Sequence, residues 1–282
     1  MTPKSILPAI LTGTLPEIAA RLGNKTPIGS VLNSAEWADV AAQLREEAFF
    51  SARIESVRAL GEMQRGLIDL LEQTRRENGT LATDRSKWIA DMQAMVDRLG
   101  LRPSDPGKIG TLQDIGSERR LQLIREMQLS RAQNKAKHIS GQDPAILNEF
   151  PAQELIREVD SAVPRDWQAR WTAAGGELLD GGRMVALKTD PIWTAISRFG
   201  TPYPPFDYNS GMGLIDIDRD EAEALGLIEP GVVMQPSLAQ EEDQLEAGLK
   251  KELEIPGMRD ALADVFGDQI IITPDGSAKW RK

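Results

Sequence analysis

The sequence predicts an α+β protein that is mostly helical: a helical N-terminal half, a small α+β domain, and a helical acidic C-terminal tail. Three observations predict it. Apolar residues recur at three- and four-residue steps through the first half. Short β-prone runs between Gly and Pro clusters follow Asp143-Pro144. Acidic residues gather near the end: 16 acidic against 7 basic from Leu214 to Lys282, where the preceding residues hold 27 against 26. On this reading residues 1–33 form an irregular arm, 34–148 a helical domain, 149–229 a small α+β domain, and 230–282 an acidic helical tail with a late short strand.

Taken in order, Pro8 and Pro16 break the apolar runs of the arm, which therefore reads as neither a signal peptide nor a helix. Ser34 starts a helix that continues to Glu47. A long amphipathic helix is predicted over Phe49–Glu77, with Phe50, Ile54, Val57, Leu60, Met63, Leu67, Leu70 and Leu71 on one face. Gly61 and Gly66 inside it are suited to a close helix crossing. A second helix runs from its cap at Asp84 to Leu99 and stops at Gly100. After a loop at Pro103 and Pro106, a third extends from Ser117 to Ile139; its polar middle, with Gln122, Gln128, Gln133 and Asn134, suits a subunit contact or an exposed edge.

The second half predicts strands at Gln153–Asp160 and Arg183–Thr189, joined by a connection rich in Trp and Gly. FGTPYPPFDYNSGMG is too rich in Pro and Gly for a regular element, and Asp207 within it is expected to tolerate Asn with folding intact. Asp218 with Glu221 three residues on resembles a capping box, for a short helix ending at Gly226. Pro230–Pro236 reads as a linker, Ser237–Glu254 and Arg259–Phe266 as helices, and Gln269–Thr273 as the late strand.

The composition excludes several chemistries. With no cysteine there is no disulfide, thiolate zinc site or cysteine nucleophile, and the single histidine, His138, precludes a multi-histidine metal site. No metal and no cofactor are expected. No run approaches the roughly 20 apolar residues of a membrane span. His138 is the one imidazole base, but no G-x-S-x-G elbow accompanies it. Asp216-Ile217-Asp218-Arg219-Asp220 lacks the Gly and the bidentate acid that a calcium loop needs, so capping explains it better. Neither G-x-G-x-x-G nor a lysine-bearing P-loop is present. Trp167 and Trp171, interleaved with Arg165 and Arg170, read either as indoles anchoring a core under snorkelling arginines or as a stacking patch for a ligand, the first being the commoner use.

Two segments carry a further pattern. Asp160, Val163, Arg165 and Trp167 are similar to an acidic strand end followed by a V-R-x-x-H step, with Pro164 additional and Trp167 in place of His. Pro204, Pro205 and Asn209 match a P-P-x-H-x-N-C-R-C segment, with Asp207 where its His would stand and Ser210, Gly211 and Met212 in place of C-R-C. In these features, over Ser117 to Leu227, the chain resembles the minor head (head morphogenesis) protein family of tailed bacteriophages typified by the F protein of phage Mu. TPYPPFDYNSGMGLIDIDRDEAEALGLI and TPIGSVLNSAEWADV also resemble variants that recur among phage head morphogenesis proteins.

The resemblance implies a structural protein of the virion head, not an enzyme, made in the host cytoplasm. It would be brought to the particle by portal or other head proteins and act in capsid assembly and in DNA packaging or ejection. The acidic tail implies weak or no direct binding to duplex DNA, and nothing implies a membrane partner. Two readings of other classes remain beside it: a nucleotide-handling transferase in the second half, and a soluble adaptor binding through helices 34–77.

Overall fold

The computed structural model describes residues 15–33, 36–37, 45–46, 48–76, 85–160, 164–208, 210–237, 270–272 and 278–280. It is a mixed α+β protein, 47% helical and 11% strand, which makes it mostly helical as expected. The chain divides into two compact units, one built mainly on Ala19–Leu129 and the other mainly on Ser130–Ser237. The expected helix from Ser34 to Glu47 lies largely outside the described residues, and those at Ser237–Glu254 and Arg259–Phe266 almost wholly so.

In the first unit the arm is more ordered than its prolines suggested. Leu15–Gly23 forms α1, with Leu22 fully buried. Pro16 stands in the first turn, where the N–H that proline lacks would have no partner in the helix. The next helix, α2, begins at Val57 and ends at Arg76, later than Phe49. Two features delay it. Thr26–Pro27 (β1) pairs in parallel with Ala48–Phe49 (β2), and Ile28 N and Ser30 N donate to Phe49 O and Ile54 O at 3.1 and 3.0 Å. Arg53 then takes φ +57°, which a right-handed helix excludes. Ser56 supplies the cap, its hydroxyl accepting from Ala59 N at 3.2 Å. The predicted stripe survives from Leu60 onward: Leu60, Met63, Leu67, Leu70 and Leu71 are buried, each contributing roughly 1.5–3 kcal/mol. Val57, at the helix start, is exposed.

Arg85–Arg98 forms α3, and Gly100 leaves it at φ +66°. Of the two glycines in α2, Gly66 makes the close crossing: a Cβ there would come within 3.0 Å of Trp88 Nε1 and 3.1 Å of Met92 Cε, whereas at Gly61 it would make only ordinary contact with Pro27. A 3₁₀ turn at Pro106–Lys108 precedes α4, Glu118–Gly141, whose cap is Ser117. The polar middle of α4 is no exposed edge. Leu121, Ile124, Gln128, Leu129, Ala132 and Ala136 form a buried stripe, and Gln128 Nε2 donates to Phe50 O at 3.0 Å.

In the second unit, Pro144–Glu149 forms α5, capped by Asp143 with Pro144 at its start. Three antiparallel strands follow: Ala152–Arg157 (β3), Val185–Leu187 (β4) and Met212–Ile217 (β5), in the order β4-β3-β5. Trp167–Ala173 (α6), capped by Asp166, and Ile192–Ala195 (α7) lie between them. Arg219–Ala224 (α8) is capped by Asp218, which accepts from Glu221 N at 2.8 Å. Half of the anticipated capping box forms, since the Glu221 carboxylate pairs instead with Arg183 at 2.8 Å. Two features differ from expectation. The connection between β3 and β4 contains α6, and β5, the longest partner of β3, occupies the run that read as turn and acidic loop.

Strand alternation gives the sheet two buried faces. Register places Leu155 and Met212 with Ala186 on one face, packed on Trp167, Trp171, Trp193 and Phe206. Ala152 and Ile217 with Val185 lie on the other, under Leu147, Ala222, Ile228 and Met234. The expected linker at Pro230–Pro236 is therefore attached to the sheet. Met234 is buried, its N–H donates to Asn148 Oδ1 at 2.8 Å, and Arg219 donates to Val232 O at 3.1 Å. Near the C-terminus Ile270–Ile272 (β6) pairs antiparallel with Ala278–Trp280 (β7), the first of these at the expected late strand.

Candidate functional site: an arginine cluster around Asp207

The motif positions lie on two segments separated by about forty residues, and the tryptophan core draws them together. Trp167 and Trp171 are one helical turn apart on α6, 3% and 1% exposed, which settles the choice between core and stacking patch in favour of core. Trp171 meets Trp193 edge-on at 5.2 Å, and Trp193 stacks with Phe206 at 6.3 Å. Trp171 Nε1 donates to Glu177 O at 2.9 Å and Trp193 Nε1 to Leu187 O at 2.8 Å, while Trp167 Nε1 is buried with no hydrogen-bond partner among the described residues. Phe206, fully buried, anchors the Pro-rich segment; Pro204 and Pro205 beside it are buried and joined by a cis peptide bond.

Fixing Phe206 in the core carries its neighbour Asp207 inward. Asp207 is 5% exposed and is not the free turn residue expected from the sequence. Arg165 Nε and Arg170 Nη1 each lie 3.1 Å from its Oδ2, and Arg198 Nη1 lies 3.7 Å from Oδ1. Tyr208 N donates to Oδ1 at 2.8 Å, and Arg165 Nη2 donates to Tyr208 O at 2.8 Å. Aromatic faces hold two of the guanidinium groups: Arg170 over Trp167 at 4.9 Å and Arg198 over Tyr208 at 5.6 Å. Asp207 thus organises an arginine of the other segment.

Three guanidinium groups against one carboxylate leave two net positive charges. The arginine side chains are 29–39% exposed, so donors remain available to solvent on a rigid aromatic base. This arrangement can bind carboxylates of a partner. Of the positions singled out in the sequence, Arg165 and Trp167 meet here, while Pro204 and Pro205 precede Phe206 in the chain and Pro204 borders a separate cleft. Asp160 is exposed beyond the end of β3, and Val163 and Asn209 lie outside the described residues. Arg198 was missed, because nothing in its local sequence links it to Asp207; the one usable signal was an acid set between Phe206 and Tyr208.

The other candidates separate. His138 is in the last turn of α4 with its ring 5.3 Å from that of Tyr203. Within the acidic run Asp216 pairs with Lys188 and Asp218 caps α8, so its carboxylates serve separate ends. Among the described residues no group of three or more His, Cys, Asp or Glu side chains could hold a metal ion, and no helix is long and apolar enough to cross a membrane. Set against known proteins, the chain matches no family model, no curated protein and no solved structure.

Proposed function

We propose that this chain is a minor component of a tailed-phage head, a virion structural protein that docks on the portal or another head protein during capsid assembly. The observation that supports it is the cluster around Asp207: Arg165, on one segment that resembles the family's pattern, is bound by Asp207, on the other, and Trp167 lies beneath the second arginine on that carboxylate, Arg170. Arginine fixed over aromatic rings is a common anchor of protein interfaces, where its planar fork meets carboxylates in pairs. In this reading the cluster contacts acidic side chains of a head protein, and the protein acts through contact in assembly, packaging or ejection.

Mass spectrometry of purified particles tests the reading. The protein should be present in virions at a few copies, and particles made without its gene should be defective in head assembly or DNA content. Its absence from purified particles, with normal heads in the deletion, would overturn the proposal.

A further inference from the structure

A second polar site lies in an open cleft bounded by the end of α4, by β3 and β5 and by the residue following β4, with about 540 Å³ of empty space that is partly open to solvent. Lys188 is 5% exposed, and its Nζ pairs with Asp216 Oδ1 at 2.9 Å. Lys137 Nζ, also at the cleft, donates to Leu214 O at 3.0 Å. Gln142 and Gln153 line the same cleft at 2% and 7% exposure, and the Nε2 of each has no hydrogen-bond partner among the described residues. The orientation of Gln142 is fixed, because Ser237 N donates to its Oε1 at 2.9 Å and only an oxygen can accept there.

Strand register explains why these groups meet. Gln153 on β3 stands opposite both Ala186 on β4 and Asp216 on β5, and Lys188, two residues beyond Ala186, falls on the same face. That face carries the tryptophan core toward its other end, so the cleft is the polar end of an otherwise apolar surface. Gly141 completes it, since a Cβ there would lie 3.7 Å from Lys188 Nζ.

Donors exceed acceptors at this end. Among the described residues two ammonium groups face one carboxylate, leaving one net positive charge, and two buried amides offer N–H groups that none of those residues accepts. Buried donors are nearly always paired, because their lost hydration is otherwise uncompensated. The missing complement is a set of anionic oxygens. We propose that this cleft is a binding site for a small oxyanion, a carboxylate or a phosphate group, received by Lys188 together with the Gln142 and Gln153 amides. The site is independent of the head-protein reading and of the arginine cluster.

Thermal melting of the full chain in inorganic phosphate, in acetate and in chloride, at pH 7 and matched ionic strength, tests it. One of the two oxyanions should raise the melting temperature saturably over chloride, by roughly 2–5 °C, and the larger rise distinguishes a phosphate from a carboxylate ligand. Lys188→Met should abolish the rise. Should that variant fail to fold, Gln153→Glu decides: it sets a tethered carboxylate near Lys188, so the response to added anion should vanish while the protein stays folded. A wild-type protein that melts alike in all three salts would overturn the proposal. So would a folded variant that keeps the full anion response.

Discussion

At the scale of single residues, position in the sequence and position in the energy balance diverge most at Asp207. Read locally it is one acid in a Pro- and Gly-rich turn; folded, it is the shared partner of Arg165, Arg170 and Arg198. Asp207→Asn removes the charge and turns an acceptor into a donor facing N–H groups. With the arginines only partly buried the loss is about 1–3 kcal/mol, read as a lower denaturant midpoint at unchanged slope. A midpoint equal to wild type would mean that the cluster adds nothing to stability. The glycines nearby separate in the same way. Gly211 sits at φ +63°, and a Cβ would strike the backbone oxygen of Val159; its own carbonyl accepts from Glu158 N at 2.9 Å and Val159 N at 3.1 Å. Gly211→Val should cost more than the roughly 1–3 kcal/mol of a left-handed non-glycine residue alone, and soluble expression should collapse. Gly213 has no positive φ, and the atoms nearest to a Cβ there belong to the Glu158 carboxylate, which can swing away. Gly213→Val should therefore stay soluble, a distinction that composition alone does not make.

At the scale of elements, legibility followed the range of the forces involved. The α2 stripe, the Gly100 stop, the cap at Asp218 and the late strand are set by residues within four positions of one another, so spacing revealed them. The true start of α2 was hidden because β1, more than twenty residues earlier, captures Ala48–Phe49. β5 was hidden because Met212–Ile217 mixes Gly and Asp into its run; it is a strand through its pairing with β3, and Asp216 is tolerated there through Lys188. The loop ahead of α4 is likewise held by a distant partner. Asp114 is fully buried and accepts from Gly110 N at 3.0 Å and Gly116 N at 2.9 Å, with Arg102 Nη1 3.1 Å from Oδ2. Burial by itself would raise its pKa; the two N–H groups and the Arg102 charge outweigh it and hold the carboxyl below the usual aspartate value. A folded pKa below the unfolded one gives stability that is full above about pH 4 and is lost as pH falls through the folded value. Asp114→Asn, which turns an amide donor toward a donor, should cost about 2–3 kcal/mol at pH 7, and its deficit relative to wild type should shrink as pH falls through the lowered folded value. Melting curves from pH 7 to pH 2 check this; a deficit constant across that range would assign it to packing.

At the scale of the whole molecule, residues 238–282 carry four of the ten excess negative charges, and where the sheet unit ends decides how the tail can be tested. Ser237 is 8% exposed and its N–H donates to Gln142 Oε1, Met234 lies in the core under the sheet, and Asn148 binds Met234 through both its N–H and its carbonyl. A truncation before Pro230 would strip these contacts, uncover the core under the sheet and leave the buried Gln142 Oε1 without its Ser237 donor. One after Ser237 keeps them all. The longer truncation product should therefore retain a folded sheet unit by near-ultraviolet circular dichroism of its tryptophans, and the shorter should not. Residues 238–282 hold 10 acidic and 6 basic groups, so removing them shifts the net charge from −10 to −6 without touching the arginine cluster. Duplex DNA rewards each phosphate contact by counterion release, and an acidic chain gains little of that; the full-length protein should bind DNA only in the nonspecific range, roughly 10⁻⁴ M to 10⁻⁶ M. Binding to purified portal or other head protein is expected instead. If the arginine cluster is the contact, that binding survives the truncation after Ser237, weakens with salt as charges within about 8–10 Å are screened, and is lost in a folded Arg165→Ala/Arg198→Ala double variant. Retention lost with the tail and kept by the double variant would move the docking surface to residues 238–282. Tight, salt-sensitive binding to duplex DNA with no retention on any head protein would reverse the assignment of partner altogether.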